Sequence, residues 1–193
     1  MDHEVNRSRV LNLWRGTERP GVDGVLKWLE QESDFFKAPC STEFHMCCAG
    51  GLAQHSLNVY DLLAEKIARY NLADVYGPDT IAICGLGHDL CKANFYVPGT
   101  RNVKENGQWR EKRVYVVKDQ FPMGHGEKSL SILQDFIHLT NEEKLAIRWH
   151  MVAFDAGIHF NYPSGFAFRE ASKIPLVVLL FTADYEASQI IEK

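Results

Sequence analysis

The strongest constraint in this chain is a long helical stripe with a histidine set into it. From about Gly50 to Leu72, the residues Leu52, His55, Val59, Leu62, Leu63, Ile67 and Tyr70 recur at intervals of three and four. That spacing puts side chains on one face of an α-helix. A stripe of this length needs apolar partners, so the chain has to build a core around it. His55 lies on or beside the buried face, where an imidazole needs a polar partner of its own. The next segment, from about Thr80 to Lys92, is nearly all small or apolar (Ile81, Ala82, Cys84, Leu86, Leu90). A helix apolar on most sides is a central one. It carries the pair His88-Asp89 near its C-terminal end, and Gly85 and Gly87 leave room for close neighbours.

Further helices are expected from after Pro20 to about Glu32, from Gly124 to Phe136, and from Thr140 to about Val152. Thr140 with Glu143 three residues on is a capping signature. A last helix opens at Ser172 and Pro175 and runs to the C-terminus. Phe35 to Ser41 and the Gly/Pro-rich stretch Gly157 to Gly165 read as loops. Asn106-Gly107, between Arg101–Lys104 and Val114–Val117, marks a β-hairpin inserted at about 95–119. The expected fold is therefore all-α: about six helices with one inserted hairpin. The 193 residues suit one domain spanning 1–193, with an N-terminal helical extension over 1–42.

The formal net charge of −4 argues against broad affinity for nucleic acid or an anionic membrane, though not against a local basic pocket. The five cysteines (Cys40, Cys47, Cys48, Cys84, Cys91) have no CxxC spacing, which speaks against a zinc ribbon. Their odd number and the lack of a signal-peptide pattern lead to the expectation of reduced thiols in a cytoplasmic protein. The longest apolar run, Pro175–Phe181, is far too short to span a bilayer.

Four of the eight histidines, His55, His88, His125 and His150, fall inside or at the starts of expected helices. Asp184 sits in the last helix among apolar residues. Taken singly, each has an ordinary reading as a hydrogen-bonded core residue. Together they would be a costly set of unrelated buried polar groups, and a cation satisfies them all at once. Imidazole and carboxylate ligands without thiolate suit Fe, Mn, Zn, Co or Ni. Two such ions roughly 3.5–4 Å apart can share a bridging water and hold a phosphoryl group. Asp89 suits a bridging role because a carboxylate has two oxygens to offer.

The runs Gly50-Gly51-Leu52-Ala53-Gln54-His55-Ser56, Gly87-His88-Asp89-Leu90-Cys91-Lys92 and Thr182-Ala183-Asp184 resemble the signature of the HD-domain metal-dependent phosphohydrolase superfamily, over residues from about 43 to 188. The resemblance implies that His55, His88, Asp89 and Asp184 hold one divalent metal. In binuclear members two further histidines hold a second ion, with the HD aspartate as bridge; His125 and His150 stand in those places. Lys92, four residues after His88 and three after Asp89, would share their helical face and contact a phosphate; two-metal members often carry a lysine there.

The function expected is hydrolysis of a phosphoester or phosphoanhydride in a small nucleotide-like substrate, by a hydroxide bridging the two metals, with Asp89 and Lys92 as the catalytic pair. Lys128, three residues after His125, is a second candidate for substrate binding. Arg101, Lys104, Arg110, Lys112, Arg113 and Lys118 make the hairpin basic, as a lid over an anionic substrate or as a solvated ribbon. His45 and His159 are possible substrate contacts, His3 and His138 look incidental, and the four tryptophans read as core. The same six ligands would also serve a mixed-valence di-iron oxygenase. A 3′–5′ exoribonuclease-like hydrolase ranks lower, because the chain carries no attached nucleic-acid-binding module.

Overall fold

A computed structural model describes residues 2–151 and 164–193. Among these residues there are eight α-helices and a two-stranded antiparallel sheet, so the expectation of an all-α fold with about six helices is corrected to a mixed, mostly helical fold. The two extra helices are α1 (His3–Arg15) and α7 (Ser164–Ala171). Neither announces itself in the sequence. α1 is largely polar and buries only Val10, Leu11 and Trp14. Its start is set by Asp2, whose side chain accepts from the N–H groups of Glu4 and Val5. α7 is short and emerges from the Gly/Pro-rich stretch that reads as loop.

The other helices are α2 (Val22–Lys27), α3 (Gly51–Arg69), α4 (Pro78–Gly87), α5 (His125–Gln134), α6 (Asn141–Trp149) and α8 (Pro175–Glu186). α2 continues into a π turn at Trp28–Glu32, and α8 into another at Ala187–Ile191. α4 stops at Gly87, short of the expected Lys92; His88 caps it and Leu90–Lys92 form a separate 3₁₀ turn. α3 packs on α4 and α8, and α6 packs on α8, α5 and α4. Leu52, Leu57, Val59, Leu63 and Ile67 of α3 meet Ile83 and Leu86 of α4 and Leu176 and Leu180 of α8 in the core. Burying each such side chain stabilises by roughly 1.5–3 kcal/mol.

The strands are β1 (Tyr96–Glu105) and β2 (Gln108–Val117), paired from Tyr96↔Val117 to Glu105↔Gln108. Asn106 and Gly107 both have positive φ (50° and 82°), the conformation of a two-residue hairpin turn. Most of the outer hairpin is exposed, including Trp109, so this tryptophan is not core as expected. Trp14 and Trp149 are buried and Trp28 is packed against the core. Among the described residues no single helix is long and apolar enough to cross a membrane.

Glu143 ties three elements together. It closes a capping box with Thr140 at the start of α6. Its fully buried carboxylate also accepts from Arg19 (2.9 and 3.2 Å) and from Thr80 Oγ1 in the first turn of α4 (2.9 Å). Removing one partner of a buried pair costs more than the pair contributes, because the remaining charge is stranded. Arg19→Ala is expected to destabilise the fold by about 3 kcal/mol in urea denaturation followed by circular dichroism. A loss below about 0.5 kcal/mol would show that solvent replaces the guanidinium.

Candidate metal centre

Five helices deliver one cluster. His55 lies in α3, His88 and Asp89 follow the end of α4, His125 opens α5, His150 follows α6, and Asp184 lies in α8. Two glycines let these helices approach closely. A Cβ on Gly85 would fall 2.7 Å from the Tyr60 Cα of α3, and one on Gly126 would fall 2.3 Å from the Arg148 carbonyl oxygen of α6. The first contact brings His88 towards His55, and the second brings His125 towards His150.

The structure brings together all six residues singled out in the sequence. On one side, His55 Nε2 lies 3.2 Å from His88 Nε2, 3.2 Å from Asp184 Oδ1 and 3.4 Å from Asp89 Oδ2. On the other, His125 Nε2 is 2.6 Å and His150 Nε2 3.5 Å from Asp89 Oδ1. Asp89, itself buried, thus turns one oxygen to each set. Lys92 Nζ donates to Asp89 Oδ2 at 2.6 Å and to the Cys40 sulfur at 3.4 Å.

Hydrogen bonds at the far side of each ring fix which nitrogen faces inward. His88 Nδ1 donates to the Gly85 carbonyl (2.9 Å) and His150 Nδ1 to the Ile147 carbonyl (2.7 Å). His55 Nδ1 donates to the Glu192 carboxylate (3.0 Å), which also accepts from Asn58 (2.8 Å). Each of these three rings therefore turns its Nε2 to the cluster. Burial, helped by His150 and His55 and opposed by Asp89, pushes His88 down to about 3. Burial works to raise Asp89, but Lys92, His88 and His125 hold its carboxyl well below the usual range. Burial works against a charged His55, yet Cys40, Asp184, Asp89 and Glu192 keep its pKa well above the ordinary value.

These groups could hold metal ions. The ligand atoms of His55, His88 and Asp184 lie within 4.8 Å of one another, as do those of His88, Asp89 and His150. His150 Nε2 supplies a specific test of fit. It is a buried nitrogen with no hydrogen-bond partner. It lies 3.5 Å from Asp89 Oδ1 with no hydrogen bond between them, an arrangement that a cation resolves.

The structure adds four residues to the neighbourhood. Cys40 Sγ lies 3.3 Å from His45 Nε2 and 4.0 Å from Asp89 Oδ2, and burial pushes its thiol up to about 11. Cys91 joins Asp89 and His125 within 4.8 Å. His45, a loop histidine in the sequence, lies with its ring tilted at 5.0 Å from that of His55. Glu192 had no signal at helical spacing, because the π turn before it changes the side-chain direction; its N–H donates to the Ala187 carbonyl. Lys128 is buried, but its Nζ donates to Asp119 (2.6 Å) and lies over the Phe95 ring rather than on the cluster's carboxylates. His3 sits beside Gly50, the His138 carbonyl accepts from Arg19, and His159 lies outside the described residues.

No protein-family profile, no curated protein and no solved structure matches this chain. Glu192 orients His55 from behind, as second carboxylates do for metal-binding histidines. Glu192→Ala is expected to weaken manganese binding by about 10–100-fold in equilibrium dialysis while the helical circular dichroism stays unchanged. Unaltered affinity would show that His55 needs no such partner.

Proposed function

We propose that this chain is a phosphohydrolase of the HD type, working with two divalent transition-metal ions on a phosphoester or phosphoanhydride of a small nucleotide-like substrate. The observation that carries the reading is Asp89, whose two oxygens face two separate imidazole sets with Lys92 alongside. The order His55, His88-Asp89, His125, His150, Asp184, which prompted the family resemblance, adds support.

His55, His88, Asp184 and Asp89 Oδ2 would hold one ion; His125, His150 and Asp89 Oδ1 would hold the other. Bound divalent ions supply an acidified water for attack and positive charge for the phosphoryl oxygens. The chain's own contribution begins with Lys92. Burial opposes its charge, but Asp89 holds its pKa well above the usual value, so it remains an ammonium. An ammonium has three N–H donors. Asp89 and Cys40 take two, which leaves one for a phosphate oxygen. Tyr96 stands nearby, its phenol pushed up to about 12 by burial and by Asp89, against Lys92. It stays protonated and donates to the Cys40 carbonyl (3.5 Å). A fixed cation beside the ligands favours an anionic substrate.

Metal analysis of protein purified without added metal is expected to return two equivalents, and His125→Ala one. Lys92→Met should keep both ions and lose about 100-fold or more in kcat/KM on whichever phosphate substrate turns over. Failure to release product from any phosphomonoester, diester or nucleotide with Mn or Fe would sink the reading. Oxygen uptake with a mixed-valence EPR signal would replace it with the oxygenase.

A further inference from the structure

The hairpin and the segment before α3 enclose a second feature, a cavity of about 730 Å³. Thr42, Glu43 and Cys47 form one wall, and Arg101, Lys112, Arg113 and Tyr115 belong to the other. This volume falls within the range of small-molecule sites and is far more than one phosphate fills.

The cavity and the metal centre are joined through two shared chain segments. The segment that supplies Thr42, Glu43 and Cys47 is the one that presents Cys40 and His45 to the cluster on its other side. At the hairpin base Tyr96 touches the Cys40 carbonyl. From Tyr96 to Arg101 the strand advances five residues, about 17 Å at the usual rise. The cationic end of the cavity is therefore on the order of 15 Å along β1 from Tyr96, whose hydroxyl meets the same Cys40 that accepts from Lys92.

The charges at that end are poorly matched within the protein. Arg101 and Lys112 are direct cross-strand partners, and Arg113 pairs with Thr100 one position along. Like charges placed opposite each other are destabilising. Glu43 pairs with Arg101, while Lys112 and Arg113 have no ion-pair partner among the described residues. Three cations and one carboxylate leave the cavity positive in a chain of net charge −4.

We propose that this cavity is a subsite for a second phosphate, so that the substrate is a nucleotide compound with anionic groups spread over about 15 Å rather than gathered at one end. This rests on the reading of the metal centre as the place where the first phosphate binds. Arg101, Lys112 and Arg113 hold the distal phosphate, and Tyr115 lines the space between.

Binding to the manganese-loaded protein tests it, with three turnover-resistant phosphorothioate probes: a nucleoside monophosphate, a nucleoside triphosphate and a 5′-phosphorylated trinucleotide. The trinucleotide is expected to bind about tenfold or more tighter than the monophosphate. Arg101→Ala/Lys112→Ala/Arg113→Ala should abolish that advantage and leave the triphosphate, whose charge sits at the metal centre, within twofold. Lys104→Ala/Arg110→Ala, on the same hairpin but outside the cavity, should change little. A trinucleotide no tighter than the monophosphate, or an equal loss from the Lys104/Arg110 variant, would overturn the subsite while leaving the metal centre in place. Failure of all three probes to bind would overturn the reading of the metal centre as well.

Discussion

Everything near the centre of this molecule is arranged around one buried carboxylate. Asp89 follows α4 among apolar helices, where an unpaired anion would cost several kcal/mol. Both of its oxygens are flanked by polar side chains. His55, His88 and Lys92 face one oxygen, and His125 and His150 face the other. No single helix could supply those partners, because residues on one helix face point the same way. Five helices have to converge, and the tight contacts at Gly85 and Gly126 let them.

Around that centre lies a second layer that sets direction rather than charge. The Gly85 and Ile147 carbonyls and the Glu192 carboxylate each take the outward N–H of an imidazole, leaving its other nitrogen for the cluster. Two of these acceptors are carbonyls three residues before the histidine, so the end of a helix orients its own side chain. The third comes from the far end of the chain. The π turn after α8 brings Glu192 beneath His55, 137 positions away in sequence.

The basic hairpin follows a different rule. Its strands pair with each other, and their outer part is largely exposed. A two-stranded ribbon has marginal stability of its own, and here the cavity wall at segment 42–47 stands against it. The helical core holds the His/Asp cluster, while the hairpin carries its charges on the exposed outer strands.

Much of this was legible in the sequence because period and residue type are local properties. The stripe through Leu52, His55, Val59 and Leu63 identified α3, Asn106-Gly107 identified the hairpin turn, and Thr140 with Glu143 identified the start of α6. The same pattern placed six ligand candidates on five elements, His88 and Asp89 sharing one. Other features had no local signal. α1 carries too few apolar residues to show its period, and α7 follows a Gly/Pro-rich stretch, so a count of about six helices fell short of eight. The hairpin was expected as an insert, and its two-stranded sheet makes the fold mixed and mostly helical rather than all-α. The chain order named the residues that could meet. Only tertiary packing decided that Asp89 would divide its oxygens, that Lys128 would pair with Asp119, and that Cys40, His45 and Glu192 would join the centre. Those contacts depend on distances between segments far apart in sequence, which no periodicity encodes.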